Sequence, residues 1–156
     1  MTLDPLLPPD FIENRRIEAK LAQGRDGRGD LPDSIWETYS AFANSGGGSI
    51  YLGVKELSES HYVAVGIPDI EKVMGQFWNC LGDRNVVSHR LICDKDLVQV
   101  MTKTGNPMLI IRVPGASADI QPVYIHGDPY SGTYKRIRSS DVRCSREEVQ
   151  EMLDAL

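Results

Sequence analysis

SIWETYSAFANSGGGSIYLGV, residues 34–54, reads as a helix, a glycine break and a strand in direct succession. Ser34 with Glu37 three residues on is a capping box, and Pro32 stands just before it, so the spacing predicts a helix over Ser34–Asn44. Ile35, Tyr39, Phe42 and Ala43 form its apolar stripe. Gly46, Gly47 and Gly48 end it, because glycine enters the left-handed region without a Cβ clash. Ser49–Val54 is then a strand.

Upstream, Arg16–Ala22 alternates. Ile17, Ala19 and Leu21 point one way and Glu18, Lys20 and Ala22 the other, which predicts a half-buried strand. Gln23–Asp30 is a polar loop with three glycines. Residues 1–10 carry Pro5, Pro8 and Pro9 and read as a flexible arm, followed by a short helical turn near Phe11–Arg15. Downstream, Ile70, Val73, Met74, Phe77 and Leu81 predict a second helix over Asp69–Leu81. Leu97–Lys103 and Met108–Val113 flank Thr104-Gly105-Asn106-Pro107 as a hairpin. Val123–His126 and Thr133–Arg138 read as strands around a Gly127-Asp128-Pro129 turn. Ser145 with Glu148 caps a last helix that runs to the final residue, with Val149, Met152 and Leu153 on its inner face. The expected fold is α/β (α+β): a single mixed, mostly antiparallel sheet with about three packed helices. Residues 11–156 form the domain, expected to be the N-terminal part of a longer protein.

The chain has 156 residues, 17 basic against 22 acidic, for a net charge of −5. This suits one globular domain and excludes disorder, fibres and binding of a polyanion over the whole surface. Cys80, Cys93 and Cys144 stand far apart, with neither zinc-site spacing nor an even count, and read as reduced thiols. His61, His89 and His126 are isolated. MTLDPLLPPDF lacks the basic start and apolar core of a signal peptide, and the longest apolar run, Met108–Ile111, is too short for a membrane. A cytoplasmic location is expected.

Four segments, in order, resemble the Schlafen-type AlbA-like domain found at the N-terminus of bacterial transcriptional regulators and in divergent AAA and RecG-related proteins. They are Glu13-x4-Glu18-x-Lys20; Ala41–Gly48 with Tyr51-Leu52-Gly53-Val54; Gln121-Pro122-Val123-Tyr124; and Tyr134-x-Arg136 with Ser145-x-Glu147-Glu148-Val149. The resemblance implies a mixed α/β domain that associates with nucleic acid, DNA ahead of RNA, for a transcriptional regulator. No cofactor is expected for binding alone.

The resemblance also opens an alternative. Eukaryotic Schlafen relatives cleave structured RNA with an acidic set that Glu13 and Glu18 match. Where the family usually has an aspartate after Gly-Val, this chain has Lys55 and then Glu56. Glu18 and Lys20 share a strand face, and Glu13 converges with Glu18 only if the chain turns near Asn14–Arg16. Converging carboxylates of Glu13, Glu18 and Glu56 would make a Mg²⁺ or Mn²⁺ site for a metal-dependent endoribonuclease, with Lys20 on the phosphate. The plainer reading is a Glu18–Lys20 surface ion pair. The glycine run lacks a Gly-Lys-Ser/Thr ending and follows a helix, so its expected role is structural and not nucleotide binding.

From Tyr134 to Arg146, Lys135, Arg136, Arg138, Arg143 and Arg146 face only Asp141. On a strand Tyr134, Arg136 and Arg138 share a face, which suits base stacking and phosphate pairing. These residues with Lys135 and Arg143 are the expected nucleic-acid contacts; a solvated, charge-guarded sheet edge is the alternative. Arg15, Arg16, Arg25 and Arg28 extend the patch if the first loop folds toward it. A third class is a protein–protein or homo-oligomer module anchored by Trp36, Trp78 or Tyr130.

Overall fold

Apolar alternation and glycine placement build a four-stranded mixed sheet on which the central helix lies. The structure, a computed structural model, describes residues 6–8, 10–58 and 60–156. The elements are β1 (Ile17–Lys20), α1 (Ile35–Asn44), β2 (Gly47–Leu52), β3 (Val54–Ser58), β4 (His61–Ala64), α2 (Ile70–Leu81), β5 (Leu97–Met101), β6 (Pro107–Pro114), α3 (Pro129–Gly132), β7 (Tyr134–Ile137), β8 (Ser140–Arg143) and α4 (Arg146–Asp154). The main sheet has the order β1-β2-β6-β5. β1 runs parallel to β2, and the other pairs are antiparallel. The hairpins β3–β4 and β7–β8 stand outside it as two-stranded sheets. The expected class therefore holds, while among the described residues the single sheet resolves into three, with four α-helices. Of the expected N-terminal arm, residues 1–5 and 9 lie outside the described residues; Leu7 is buried with Phe11 in a small core under β3–β4.

α1 is buried on nearly every side, because it lies between the main sheet and the β7–β8 hairpin. Its apolar stripe, Ile35, Tyr39, Phe42 and Ala43, joins Ile50, Leu52, Leu109 and Ile111 of the sheet and Phe77 of α2 in the main core. Its polar side is knitted to the far end of the chain. Ser40 donates to the Val123 carbonyl at 2.7 Å and accepts from the Tyr134 amide at 3.0 Å. The Asn44 amide group donates to the carbonyls of Val123 and Tyr134 and accepts from the Val123 amide, each at 2.9 Å. Such bonds satisfy polar groups that would be costly to bury alone.

Three local features depart from expectation. Ser34 does not cap α1: it is itself helical, and its hydroxyl accepts from Lys20 Nζ at 3.0 Å. The glycines after α1 are structural, as expected, but Gly47 and Gly48 already belong to β2. A Cβ on Gly48 would come within 2.6 Å of the Phe42 ring, and one on Gly47, which has φ of 93°, within 2.8 Å of the Val113 carbonyl. Finally, Tyr134–Ile137 pairs forward with Ser140–Arg143, while Tyr124 and Thr133 meet only in an isolated bridge. The intervening Pro129–Gly132 is one helical turn, with Asp128 accepting from the Tyr130 amide. The capping box of Ser145 and Glu148 forms as expected.

Candidate nucleic-acid interface

The two ends of the domain meet at Arg136. Its β7 position alternates with Lys135, so it shares a face with Tyr134, and that face is the inner one. The side chain is fully buried. Nη1 contacts Asp141 Oδ1 at 2.7 Å, its cross-strand neighbour on β8, and Glu18 Oε1 on β1 at 3.2 Å. Nε and Nη2 donate to the Asn14 carbonyl at 3.2 and 2.9 Å, and Nη2 donates to the Ile17 carbonyl at 3.0 Å. The guanidinium lies over the Phe42 ring, 4.8 Å from its centroid. A buried charge persists only when paired and hydrogen-bonded in this way.

Asn14 and Ile17 are the ends of a tight turn: Asn14 N–H donates to the Ile17 carbonyl at 3.0 Å and Ile17 N–H to the Asn14 carbonyl at 3.3 Å. Arg15 and Arg16 are its central, exposed residues. Arg136 thus clamps both carbonyls of one turn while standing two residues before another. That second turn, Arg138-Ser139, joins β7 to β8; Arg138 is exposed at φ of 55°.

Arg136, expected as a nucleic-acid contact, is therefore a buried clamp with no face open to a ligand. Arg138 leaves the strand and is displayed at the hairpin tip. Lys135 is on the opposite face, paired with Glu148 Oε2 of α4 at 2.5 Å. That pair holds the Glu148 carboxyl below its usual range and the Lys135 ammonium above its own. Arg143 is exposed beside Tyr134, 5.9 Å from the ring centroid, and Arg146 lies 4.2 Å from that of Tyr130. Arg136 brings the backbone of the turn that carries Arg15 and Arg16 against β7, whereas Arg25 and Arg28 remain exposed on the Gln23–Asp30 loop. Sequence reasoning gives Arg15 and Arg16 only conditionally, because the link that brings them in is Arg136 itself.

The acidic residues gather in part. The turn at Asn14–Ile17 does bring Glu13 and Glu18 together: both accept from the Ala19 amide, at 3.0 and 3.2 Å. Burial pushes the Glu13 carboxyl above its ordinary value, the Ala19 bond opposes this, and the charge of Glu56 adds to the upward push. Tyr62 stands between them. Its hydroxyl accepts from the Glu13 amide at 3.4 Å and bonds to Glu56, and burial pushes its pKa up to about 12. Burial pushes the Lys20 ammonium down, against the charges of Asp141 and Glu13.

The proposed metal set does not fit this arrangement. Among the described residues no three His, Cys, Asp or Glu side chains gather as ligands. Glu18 is committed to Arg136, whose guanidinium supplies the positive charge a metal would bring, and Glu56 is exposed on β3 beyond Tyr62. The simple Glu18–Lys20 pair does not form either, since Lys20 turns to Ser34. Of the aromatic anchors, Trp36 is 4% exposed in the core and unavailable to a partner. Trp78 is half-buried under Arg90, and Tyr130 donates to Gln150.

The chain belongs to the Schlafen, AlbA_2 family, whose model matches residues 13–145. It is also similar to the N-terminal domain of a RecG-related protein from Nitrosomonas europaea, solved by solution NMR. Identity is 32%, the match covers 86% of each chain, and the TM-score is 0.58. No curated protein matches the chain. Among the described residues no helix is long and apolar enough to cross a membrane.

Proposed function

We propose that this chain is a nucleic-acid-binding domain, with DNA as its partner, serving a bacterial, cytoplasmic transcriptional regulator. The observation that carries the reading is the clamp by Arg136 of the Asn14–Ile17 turn against the β7–β8 hairpin. The clamp holds the backbone of the turn that carries Arg15 and Arg16 against the strand that leads to Arg138, and all three arginines are exposed. Arg143 beside Tyr134 adds a cation next to an aromatic ring. In a protein of net charge −5, cations gathered on one surface make a local attractive field for a polyanion, while the rest of the molecule repels it. Arginines on tight turns suit phosphate contact, since a guanidinium binds two phosphate oxygens at once. The related N-terminal domain comes from a protein named for an ATP-dependent DNA helicase, which agrees with DNA as partner.

The test is a titration of labelled duplex DNA, single-stranded DNA and tRNA at two salt concentrations, each with and without Mn²⁺. The reading expects salt-sensitive binding with duplex DNA preferred and no cleavage in Mn²⁺. Equal weakness toward all three overturns it.

A further inference from the structure

The geometry points to a phosphate-binding cleft between Arg16 and Arg112, seated on the glycine turn where β2 begins. The cleft deepens the nucleic-acid reading and rests on it for the source of the phosphate. It is a concavity of about 410 Å³, lined by Arg16, Gly46, Gly47, Arg112 and Gly115, with Asp96 at its side.

Arg16 is preorganised. Its Nη1 donates to the Gly46 carbonyl and, at 2.9 Å, to the Gly47 carbonyl. The Nη1–Nη2 end of the guanidinium faces Gly46, where an added Cβ would stand 3.0 Å from Nη1 and 3.2 Å from Nη2. Folding therefore orders this side chain in advance, and a ligand does not bear that entropy cost. Nη1 is occupied, but Nε and Nη2 make no hydrogen bond among the described residues, leaving one edge of the fork for an anion.

Arg112 approaches from the neighbouring strand. It is the register partner of Ser49, whose amide donates to the Arg16 carbonyl at 2.8 Å, so Arg16 and Arg112 flank the same residue of β2 from its two sides. Arg112 is exposed and makes no ion pair or side-chain hydrogen bond among the described residues. Asp96 forms no ion pair with either arginine, and its Oδ2 is bonded to the Cys93 amide at 2.9 Å. Two guanidinium groups against one carboxylate leave a net positive cleft. The glycine walls let a ligand approach the backbone closely. A phosphate accepting from both arginines satisfies these features. Arg15 and Arg16 are adjacent in the same turn, so a strand lying on the first surface can carry a phosphate into the cleft.

The experiment follows backbone amides by NMR and labelled-oligonucleotide affinity in parallel, with inorganic phosphate and with oligonucleotides bearing or lacking a 5′-phosphate. Inorganic phosphate is expected to shift the amides of Gly46–Ser49 and Gly115. Arg112→Gln is expected to abolish those shifts, to weaken oligonucleotide binding about five- to tenfold, and to lower the salt slope by about 1. Asp96→Asn keeps an acceptor for Cys93 and is expected to tighten both ligands. A gain from the 5′-phosphate that Arg112→Gln removes assigns the cleft to strand ends; equal binding of both oligonucleotides assigns it to backbone phosphates. Wild-type affinity in Arg112→Gln, with Arg138→Gln weakened, overturns the cleft and leaves the nucleic-acid reading standing. Phosphate shifts without any oligonucleotide binding keep the cleft for free phosphate and overturn the nucleic-acid reading instead.

Discussion

Arg136 meets Glu18 at 3.2 Å across 118 positions of sequence, and this ion pair ties β7 to β1. Asp141 completes the triad from β8, so a single buried guanidinium joins both ends of the domain. Its role is to hold two arginine-bearing turns in place, and it touches no ligand itself.

Replacing Arg136 by Met keeps much of its volume but removes the guanidinium from between Glu18 and Asp141 and its hydrogen bonds to the Asn14 and Ile17 carbonyls, which keep only their bonds within the turn. Breaking a buried pair from one side costs about 3–5 kcal/mol. Thermal melting is expected to show a drop of roughly 10 °C, from about 2–4 °C per kcal/mol at this size. A melt within about 2 °C of wild type, at most about 1 kcal/mol on that scale, would mean that the clamp is dispensable.

Arg138 separates display from stability. At φ of 55° a non-glycine residue is strained by about 1–2 kcal/mol. Arg138→Gly therefore preserves or raises the melting temperature while weakening nucleic-acid binding. Melting and binding measured on one preparation check both signs; a loss of stability would contradict the assignment.

Glu13 gives a pH test. Its folded-state pKa is raised, chiefly by burial, so it favours the folded state when protonated, and that contribution is lost as pH rises through the folded value. Glu13→Gln keeps an acceptor for the Ala19 amide without the charge. The variant should melt above wild type at pH 7, with the gap closing as pH falls below about 4, under the ordinary carboxyl pKa. A gap independent of pH would exclude desolvation as the cause.

Glycines give opposite signs according to their surroundings. Gly48→Ala drives a methyl into the Phe42 ring, whereas a Cβ added to Gly75 in α2 meets nothing within 4 Å beyond the neighbouring backbone of its own helix. Gly75→Ala should stabilise by about 0.5–1 kcal/mol, as an exposed helix interior allows. Gly48→Ala should cost about 1–3 kcal/mol, as overpacking does. Denaturant midpoints for both variants check the contrast.

Local patterns carry most of the fold in the sequence. The stripe of α1, the periodicity of α2 and the Thr104–Pro107 turn each reflect contacts within a few residues, and each element forms close to its expected place. β3–β4 and β8 escape a sequence reading because VKELS and SDVR are short, polar and half-exposed, with no alternation to mark them. Arg136 escapes it for a related reason. Charge alone suggests that Arg136 faces water, but its alternation partner Tyr134 packs on the core, and the acids that neutralise it come from β1 and β8. The signal present in the sequence is the aromatic on the same face, together with Asp141 placed to pair across a tight hairpin. The convergence of Glu13 and Glu18 is legible because it requires only a turn between them.

The most direct measurement is the salt dependence of duplex-DNA affinity for wild type and for Arg15→Gln/Arg138→Gln, two exposed arginines on separate turns. The account predicts weaker binding and a slope of log affinity against log salt shallower by about 1.8, from about 0.9 for each phosphate that an arginine neutralises. Identical affinity and slope in a normally folded double variant would contradict it.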